Sequence, residues 1–318
     1  MDVGGLQVLL HRSPPSVLVM PKRKAHALGW VKSGAGPHIF TMPYQGLEPK
    51  YFKVSWLAEH VLGVGIQRPP VNAFDTATWT EMHAIFSRIR VDGDVRAVVL
   101  YGEGRCFTAG LDLRDPALMD VIQSGGDPAR RSMAIRELIE RFQNAISSIE
   151  QCERPVMGVS HSFTVGLGID ILSAVDVRYA SKDARFSIRE ARIGLAADIG
   201  TLQRFPKIVG NESWAREVAF TARDFGADEA RAMGFVSQVF ATQQEAMLRA
   251  VETAKQIASL SPVAVVGTKL AMVHARDHSV DEGLRYMQYL NGAFLQTEDL
   301  VQAITATMSK TQPTFAKL

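Results

Sequence analysis

Cysteine is scarce in this chain of 318 residues, and long hydrophobic runs are missing. The only two cysteines, Cys106 and Cys152, form no CxxC pair, so neither a zinc site nor a disulfide framework is indicated. A reducing compartment suits such a sequence. No window reaches the ~18 to 20 uninterrupted apolar residues that a membrane span needs. We therefore expect a soluble protein with no metal centre and no membrane partner.

Neither sign of charge is in excess, because 35 Lys and Arg face 33 Asp and Glu and the formal net charge is +2. Such a balance argues against nucleic acid as a partner. Several catalytic signatures are also missing. Gly63-Val64-Gly65 lacks the third glycine of a dinucleotide fingerprint, and the chain has no GxSxG elbow, Walker lysine or HExxH pair. Neither hydride transfer nor serine hydrolysis is therefore indicated.

The two ends of the chain differ from the rest. Within residues 1–46, five basic residues face a single acid, and prolines and glycines interrupt any periodicity. We interpret residues 1–46 as a mobile extension; the alternative is a mitochondrial transit peptide. At the other end, Ala316-Lys317-Leu318 is similar to the Ser-Lys-Leu peroxisomal signal. We expect a peroxisome or glycosome-type organelle, with an import receptor as partner, and a mitochondrion is the alternative.

Strand and helix patterns begin after the first 50 residues. Residues 51–67 contain two short runs of alternating polarity, which predict a hairpin. Apolar residues at helical spacing over 79–89 predict a helix capped by Asp75 or Thr76. The continuous apolar run 95–101 predicts a strand buried on both faces.

The same alternation continues towards the C-terminus. Another helix is followed by predicted strands at 155–160 and 175–181, so we expect an α/β core over residues 47–240. The pattern then becomes helical, and we assign residues 241–318 to a C-terminal helical region. The predicted helix caps in this half of the chain are Asn211, Ser261 and Thr297.

Two turn segments could carry chemistry. In GEGRCFTAGLDL (102–113) a buried strand ends in a turn, where Ala109 and Gly110 let a ligand approach the backbone closely. In VSHSFTVGLGIDILSAVD (159–176) a loop leads into Gly166-Leu167-Gly168, and backbone N–H groups at such a helix start can bind an oxyanion. The alternative is that these glycines only make turns.

Three acidic residues form a further signal. Asp170 and Asp198 lie in apolar runs with no basic neighbour in sequence, and Glu190 precedes Asp198 across a predicted turn. A carboxyl group in such surroundings should have a raised pKa, which suits proton transfer near neutral pH. The alternative is structural: each acid caps a helix or pairs with an arginine, and Arg189 and Arg192 flank Glu190.

At these segments the sequence resembles the crotonase, or enoyl-CoA hydratase/isomerase, superfamily from about Tyr51 to the C-terminus. FTAGLDL resembles the family's F-x-x-G-x-D-[LI] turn, and GLGID resembles its G-G-G-x-[ED] helix start. FSIREARIGLAADIGTLQRFPKIVGN resembles the block that runs from its E-x-x-x-G to G-T-x-R-L. The resemblance implies a spiral core of ββα units, C-terminal helices that assemble a homotrimer or hexamer, and an acyl-CoA thioester substrate without metal or redox cofactor.

The resemblance also implies roles for named residues. The backbone N–H groups of Leu111 and Leu167 would form an oxyanion hole for the thioester carbonyl, beside Ala109 and Gly110. Leu167 stands where the family has the middle glycine of its triplet. Arg68, after the first hairpin, is a candidate contact for the coenzyme A phosphates.

The acids indicate the subfamily. Hydratases pair two glutamates, whose positions are Asp170 and Glu190 here, whereas dienoyl-CoA isomerases resemble this chain at all three positions, including Asp198. Moving two conjugated double bonds from 3,5 to 2,4 requires removing a proton beside the thioester and adding one at carbon 6. These carbons are too far apart for one carboxylate to serve both easily.

The expected function is therefore isomerisation of 3,5-dienoyl-CoA to 2,4-dienoyl-CoA in fatty acid β-oxidation. We assign Glu190 to the carbon beside the thioester, Asp198 to the distal carbon and Asp170 to tuning or orienting Glu190, and the direction of each transfer stays open. One alternative is a 2-enoyl-CoA hydratase, which would leave Asp198 without a role. The other is a non-catalytic paralogue that binds acyl-CoA or RNA.

Overall fold

The computed structural model describes residues 42–123 and 126–318. Its strands are β1 (Met42–Pro43), β2 (Phe52–Ala58), β3 (Val61–Ile66), β4 (Ala97–Gly102), β5 (Val156–Ser160), β6 (Phe163–Val165), β7 (Val177–Ser181), β8 (Arg185–Ser187), β9 (Phe225–Gly226) and β10 (Gln238–Phe240). Its helices are α1 (Thr76–Arg90), α2 (Pro116–Gln123), α3 (Pro128–Gln151), α4 (Leu167–Ala174), α5 (Thr201–Ile208), α6 (Glu212–Thr221), α7 (Ala227–Ala232), α8 (Gln243–Ala258), α9 (Pro262–Asp277), α10 (Val280–Phe294) and α11 (Glu298–Ser309). A 3-10 turn spans Glu190–Ile193.

The larger sheet has the strand order β1-β2-β3-β4-β5-β7-β10. β2 and β3 form the predicted antiparallel hairpin, and the strands from β3 to β10 in this order run parallel. Every residue of β4 is buried, which confirms the expectation of a strand covered on both faces. The smaller sheet has the order β6-β8-β9. The predicted α/β core is therefore confirmed.

Two apolar cores cover the two faces of the larger sheet. Val98 of β4 belongs to one core and Val99 to the other, because successive side chains of a strand point to opposite faces. Helices α1 and α3 close the first core, where the rings of Trp79 and Phe142 stack with their centroids 5.0 Å apart. Asp75 caps α1, accepting the N–H of Thr78 at 2.8 Å, as one of the two predicted caps. Helix α8 closes the second core with a row of alanines.

Two features of the structure lie at the predicted domain boundaries, 46/47 and 240/241. Met42–Pro43 falls in the interval predicted as a mobile extension, yet it pairs with Ser55 and Trp56 of β2, and Tyr44 after it is buried. A two-residue strand is too short to show the alternation from which strands are predicted. The interval up to residue 41 lies outside the described residues. Helix α8, the first helix of the predicted C-terminal helical region, packs against the larger sheet.

Helices α8 and α9 together reach the length and hydropathy of a membrane span. The pair is bent by 110° at its break. No single helix in the described part of the chain is long and apolar enough by itself.

The C-terminal helices begin at the predicted caps, with Ser261 before α9 and Thr297 before α11. Between them, α10 begins with a capping box formed by Ser279 and Glu282. No residue of α10 is buried. Large apolar side chains are exposed along α10 and α11, namely Val280, Leu284, Tyr289, Val301, Ile304 and Met308. An apolar surface of this kind is typical of a contact with another molecule.

The C-terminal segment packs against the loop between α1 and β4. The Arg96 guanidinium donates to the carbonyl oxygens of Phe315 at 2.8 Å and Ala316 at 3.2 Å. Lys317 pairs with Asp94, with 2.6 Å between Nζ and Oδ1. The tripeptide that resembles a peroxisomal signal is thus held against its own chain.

Candidate active site

The first predicted loop is held on one side by Phe74. The N–H of Phe74 donates to the carbonyl of Gly110 at 2.9 Å, and the N–H of Asp112 donates to the carbonyl of Phe74 at 2.8 Å. These bonds form a parallel bridge between Phe74 and Leu111. In such a bridge the N–H of the middle residue points away from its partner strand. The N–H of Leu111 is therefore directed to the side opposite Phe74.

The second predicted loop reaches the first loop through another parallel bridge. It joins Thr108 to Thr164, and the N–H of Val165 donates to the carbonyl of Thr108 at 3.2 Å. Gly110 has φ +95°, and a Cβ there would lie 2.8 Å from the carbonyl oxygen of Val165 and 3.8 Å from the nitrogen of Leu167. Any side chain at position 110 would push the two loops apart. Glycine here keeps Leu111 close to Leu167.

Two backbone donors are free at this junction. Leu167 is the first residue of α4, so its N–H has no helical acceptor, and that of Leu111 faces away from Phe74. Over residues 42–123 and 126–318, neither N–H donates to a protein acceptor. The side chain of Leu167 is buried in the first core, where it packs with the other core side chains in place of the family's glycine. This arrangement has the two donors that an oxyanion hole needs.

Asp170 lies in the first turn of α4 and is only 2% exposed. Its Oδ1 accepts the backbone N–H of Thr201, the first residue of α5, at 2.6 Å. Burial raises the pKa of the Asp170 carboxyl to about 7, and the negative charges of Glu190 and Asp198 add to the rise. Asp170 therefore titrates near neutral pH.

Glu190 opens the 3-10 turn and reaches back over the start of α4. A Cβ built on Gly166, the N-cap of α4, would lie 3.1 Å from Oε1 of Glu190. The other carboxyl oxygen is buried and has no hydrogen-bond partner within the described chain. Burial, followed by the charge of Asp198, raises the pKa of Glu190. The alternative that Arg189 neutralises Glu190 is not supported, because Arg189 pairs with Asp224 at 2.8 Å.

Asp198 is half-buried between Ala197 and Ile199, which are both buried. Burial raises the pKa of its carboxyl group. Its backbone carbonyl accepts the side-chain amide of Gln143 on α3, with 2.6 Å between Nε2 and O. Like Asp170 and Glu190, Asp198 has no ion-pair partner among the residues that the structure describes. Of the three acids, Asp170 lies in the first turn of α4, Glu190 reaches over the N-cap of α4, and Asp198 lies three residues before Thr201, which binds Asp170.

The guanidinium of Arg68 is already hydrogen-bonded within the chain. Its guanidinium donates to the carbonyl of Ala73 at 2.8 Å and to the carboxylates of Asp75 at 2.9 Å and Asp112 at 3.0 Å. It thus ties the cap of α1 to the residue that follows Leu111. A cavity of about 450 Å³ lies beside it, and Lys50, Arg114 and Pro70 also line this cavity. Contact between Arg68 and coenzyme A phosphates stays a prediction, as does that of Ala109, which is exposed, and Gly110.

Two groups at the site carry no signal in the sequence. The N–H of Thr201 was not predicted to hold Asp170, although Thr201 lies in the motif that contains Asp198. Gln143 was not predicted at all, because it lies on a helix 55 residues before the carbonyl that it binds. Contacts between distant segments depend on tertiary packing, which a single sequence does not display.

The chain matches the family model described as enoyl-CoA hydratase/isomerase over residues 57–317. It is 44% identical over 271 residues to the Rattus norvegicus protein named "Delta(3,5)-Delta(2,4)-dienoyl-CoA isomerase, mitochondrial", which covers 84% of this chain and 83% of the relative. It is 40% identical over 255 residues to the Arabidopsis thaliana protein of the same name labelled peroxisomal, with coverage of 80% and 91%. A crystal structure of an enoyl-CoA hydratase from Bacillus anthracis superposes with a TM-score of 0.75 at 25% identity, covering 84% of this chain and 99% of the other.

We predict that Asp170→Asn stabilises the protein, and that the gain grows with pH. The pKa of Asp170 is about 7 in the folded chain against an ordinary value of 3.8, so the fold favours the protonated carboxyl. The stability that this group confers is present below pH 3.8 and is lost as the pH rises to about 7. Asparagine keeps an oxygen for the Thr201 N–H and has no charge to bury. Thermal unfolding from pH 4 to 8 should show a difference in Tm that widens over this window and then levels off, whereas a constant difference would contradict the burial argument.

Proposed function

Because this chain belongs to the enoyl-CoA hydratase/isomerase family, we propose that it isomerises 3,5-dienoyl-CoA to 2,4-dienoyl-CoA in fatty acid β-oxidation. The family match and the structural likeness confirm the crotonase-like fold expected from the sequence. The observation that carries the proposal is the third carboxyl group: Asp198 lies three residues before Thr201, whose N–H binds Asp170, and Glu190 reaches over Gly166 at the start of the same helix α4. Relatives named as dienoyl-CoA isomerases support the same function.

The thioester carbonyl would lie at the junction of the two loops. There the N–H groups of Leu111 and Leu167 would donate to its oxygen, and the positive end of the α4 dipole would add to their effect. Stabilising negative charge on this oxygen acidifies the carbon beside the thioester. Glu190 lies over Gly166, next to Leu167, and this position supports its assignment to that carbon.

The proton transfers then involve two different carboxyl groups. Ionised Glu190 takes the proton from carbon 2, and the electrons spread over the dienolate held by the oxyanion hole. Protonated Asp198 gives its proton to carbon 6, and the double bonds settle at positions 2 and 4. Glu190 ends protonated and Asp198 ionised, and exchange with water restores both. No electrons leave the substrate, so the reaction itself calls for no redox cofactor.

Asp170 contributes through its protonation state. Below pH 7 it is largely neutral, so it adds no second negative charge beside Glu190. An ionised Asp170 would oppose ionisation of Glu190, because like charges at close range disfavour each other. We assign Asp170 the role of keeping Glu190 able to ionise.

The second candidate is a 2-enoyl-CoA hydratase, which would use Asp170 and Glu190 to handle a water molecule. It leaves no role for Asp198, whose charge acts on both other acids. A non-catalytic paralogue that binds acyl-CoA or RNA would be favoured if one of the three acids were missing, but all three are present. The isomerase therefore accounts for more of the site.

The compartment and the assembly are further parts of the proposal. Relatives are named for both mitochondria and peroxisomes. We place this protein in a peroxisome or glycosome-type organelle on the resemblance of Ala316-Lys317-Leu318 to an import signal, and an import receptor would have to displace its contacts with Asp94 and Arg96. The exposed apolar side chains of α10 and α11 support a homotrimer or hexamer.

We predict that Asp198→Asn lowers isomerisation of 3,5-dienoyl-CoA by ~100 to 10,000-fold while thioester binding changes little, since the side chain keeps its shape and loses only its titrating proton. The product can be followed by its absorbance. Asp228→Asn removes an exposed aspartate on α7 and serves as the control. Normal isomerisation by Asp198→Asn, or a wild type that only hydrates 2-enoyl-CoA, would show that the isomerase assignment is wrong.

We also predict that light scattering gives the mass of a trimer or of two trimers. Leu284→Glu on α10 should break the assembly, because it places a charge on an exposed apolar face. Gln256→Glu adds the same charge on the exposed side of α8 and should leave the mass unchanged. A stable, active wild-type monomer would contradict the proposal.

A further inference from the structure

The turn between Asp198 and α5 is held by two hydrogen bonds. The carbonyl of Asp198 accepts the Gln143 amide at 2.6 Å. Thr201 donates its N–H to Asp170 at 2.6 Å. Between them, Gly200 has φ +138°, and the Arg204 guanidinium occupies the space that a Cβ on Gly200 would need, with Nη1 2.2 Å from that position. The backbone from Asp198 to Thr201 is therefore bonded at both ends, and the Arg204 guanidinium packs against Gly200 between them.

The residues of α3 that bind Asp198 and Arg204 lie on one face of this helix. Residues four and three positions apart on a helix share a face, and Gln143, Ser147 and Glu150 have this spacing. Ser147 accepts the Arg204 guanidinium at 2.9 Å, and Glu150 lies 3.7 Å from Nε of Arg204. This polar face of α3 therefore binds the turn at Asp198. It also binds Arg204, whose guanidinium packs against Gly200 in the turn.

The lower end of this face is itself anchored. Glu150 accepts both terminal nitrogens of Arg276 on α9, one of them at 3.1 Å. The carboxylate of Glu150 is 12% exposed, as is the side chain of Arg204. A half-buried ion pair with two partners keeps its geometry better than an exposed one. The face is therefore rigid where it meets α5 and α9.

We propose that Gln143 is a positioning residue for Asp198: its amide fixes the peptide of Asp198 so that the carboxyl group reaches the distal carbon of the substrate. This inference rests on the proposed isomerase function. Gln143 donates its hydrogen bond to the backbone of Asp198, and within the described chain no hydrogen bond joins it to Glu190, Leu111 or Leu167. Its loss should therefore impair delivery of the proton to carbon 6 and spare removal of the proton at carbon 2.

The test uses Gln143→Met, which keeps the length of the side chain and removes the donor. Because Gln143 is exposed, the variant should fold with an unchanged Tm. We expect kcat for 3,5-dienoyl-CoA to fall by about 10-fold with little change in KM, the range expected when one hydrogen bond that aligns a reacting group is lost. Exchange of the proton at carbon 2 in deuterated water should continue at a rate close to that of the wild type.

Gln203→Met is the matched control. Gln203 lies on α5 and lines the same cavity of about 460 Å³ as Gln143. It serves as the control because Gln143, and not Gln203, donates to the Asp198 carbonyl within the described chain. This variant should keep kcat. If Gln143→Met keeps the wild-type kcat, or loses exchange at carbon 2 in parallel with kcat, Gln143 does not position Asp198. If the wild type itself does not isomerise 3,5-dienoyl-CoA, the proposed function fails and this inference with it.

Discussion

Three carboxyl groups lie together in apolar surroundings without a cationic partner among the described residues, and the rest of the site depends on this constraint. Burial raises the pKa of Asp170, Glu190 and Asp198. The charge of Asp198 adds to the rise at Glu190, and the charges of Glu190 and Asp198 add to it at Asp170. A protein ordinarily avoids such an arrangement, because each buried charge costs free energy that only a partner restores. Here the cost brings carboxyl groups into the pH range where they can both accept and donate protons.

The fold keeps this cluster in place with backbone rather than with countercharges. Parallel strands bring the loop after β4 and the loop after β5 to the same edge of the sheet. Gly110 lets these loops touch, so two N–H donors meet beside α4. On the far side, a helix N–H holds Asp170 and a side-chain amide holds the peptide of Asp198. Neutral donors of this kind fix the acids without lowering their pKa as strongly as an arginine would.

Much of this could be predicted from the sequence, and the exceptions have physical reasons. Strands such as β4 and caps such as Asn211 leave local patterns, and Asp170 and Asp198 are visible because they interrupt apolar runs. The two-residue strand β1 and the place of α8 on the sheet leave no such pattern, since both depend on what packs against them. The partners of Arg68 could not be predicted, because Asp75 and Asp112 reach its guanidinium only in the folded chain. Gln143 shows that a residue without any motif can contact the site.

The central claim is that one carboxyl group removes the proton beside the thioester and another delivers a proton to carbon 6. The most direct test is a single turnover of 3,5-dienoyl-CoA carrying deuterium on carbon 2, performed in ordinary water, with the product analysed by NMR. The two-acid account predicts that the deuterium taken from carbon 2 is lost to water and that carbon 6 gains ordinary hydrogen. If most product molecules carry that deuterium at carbon 6, a single carboxyl group transfers it and the account is contradicted.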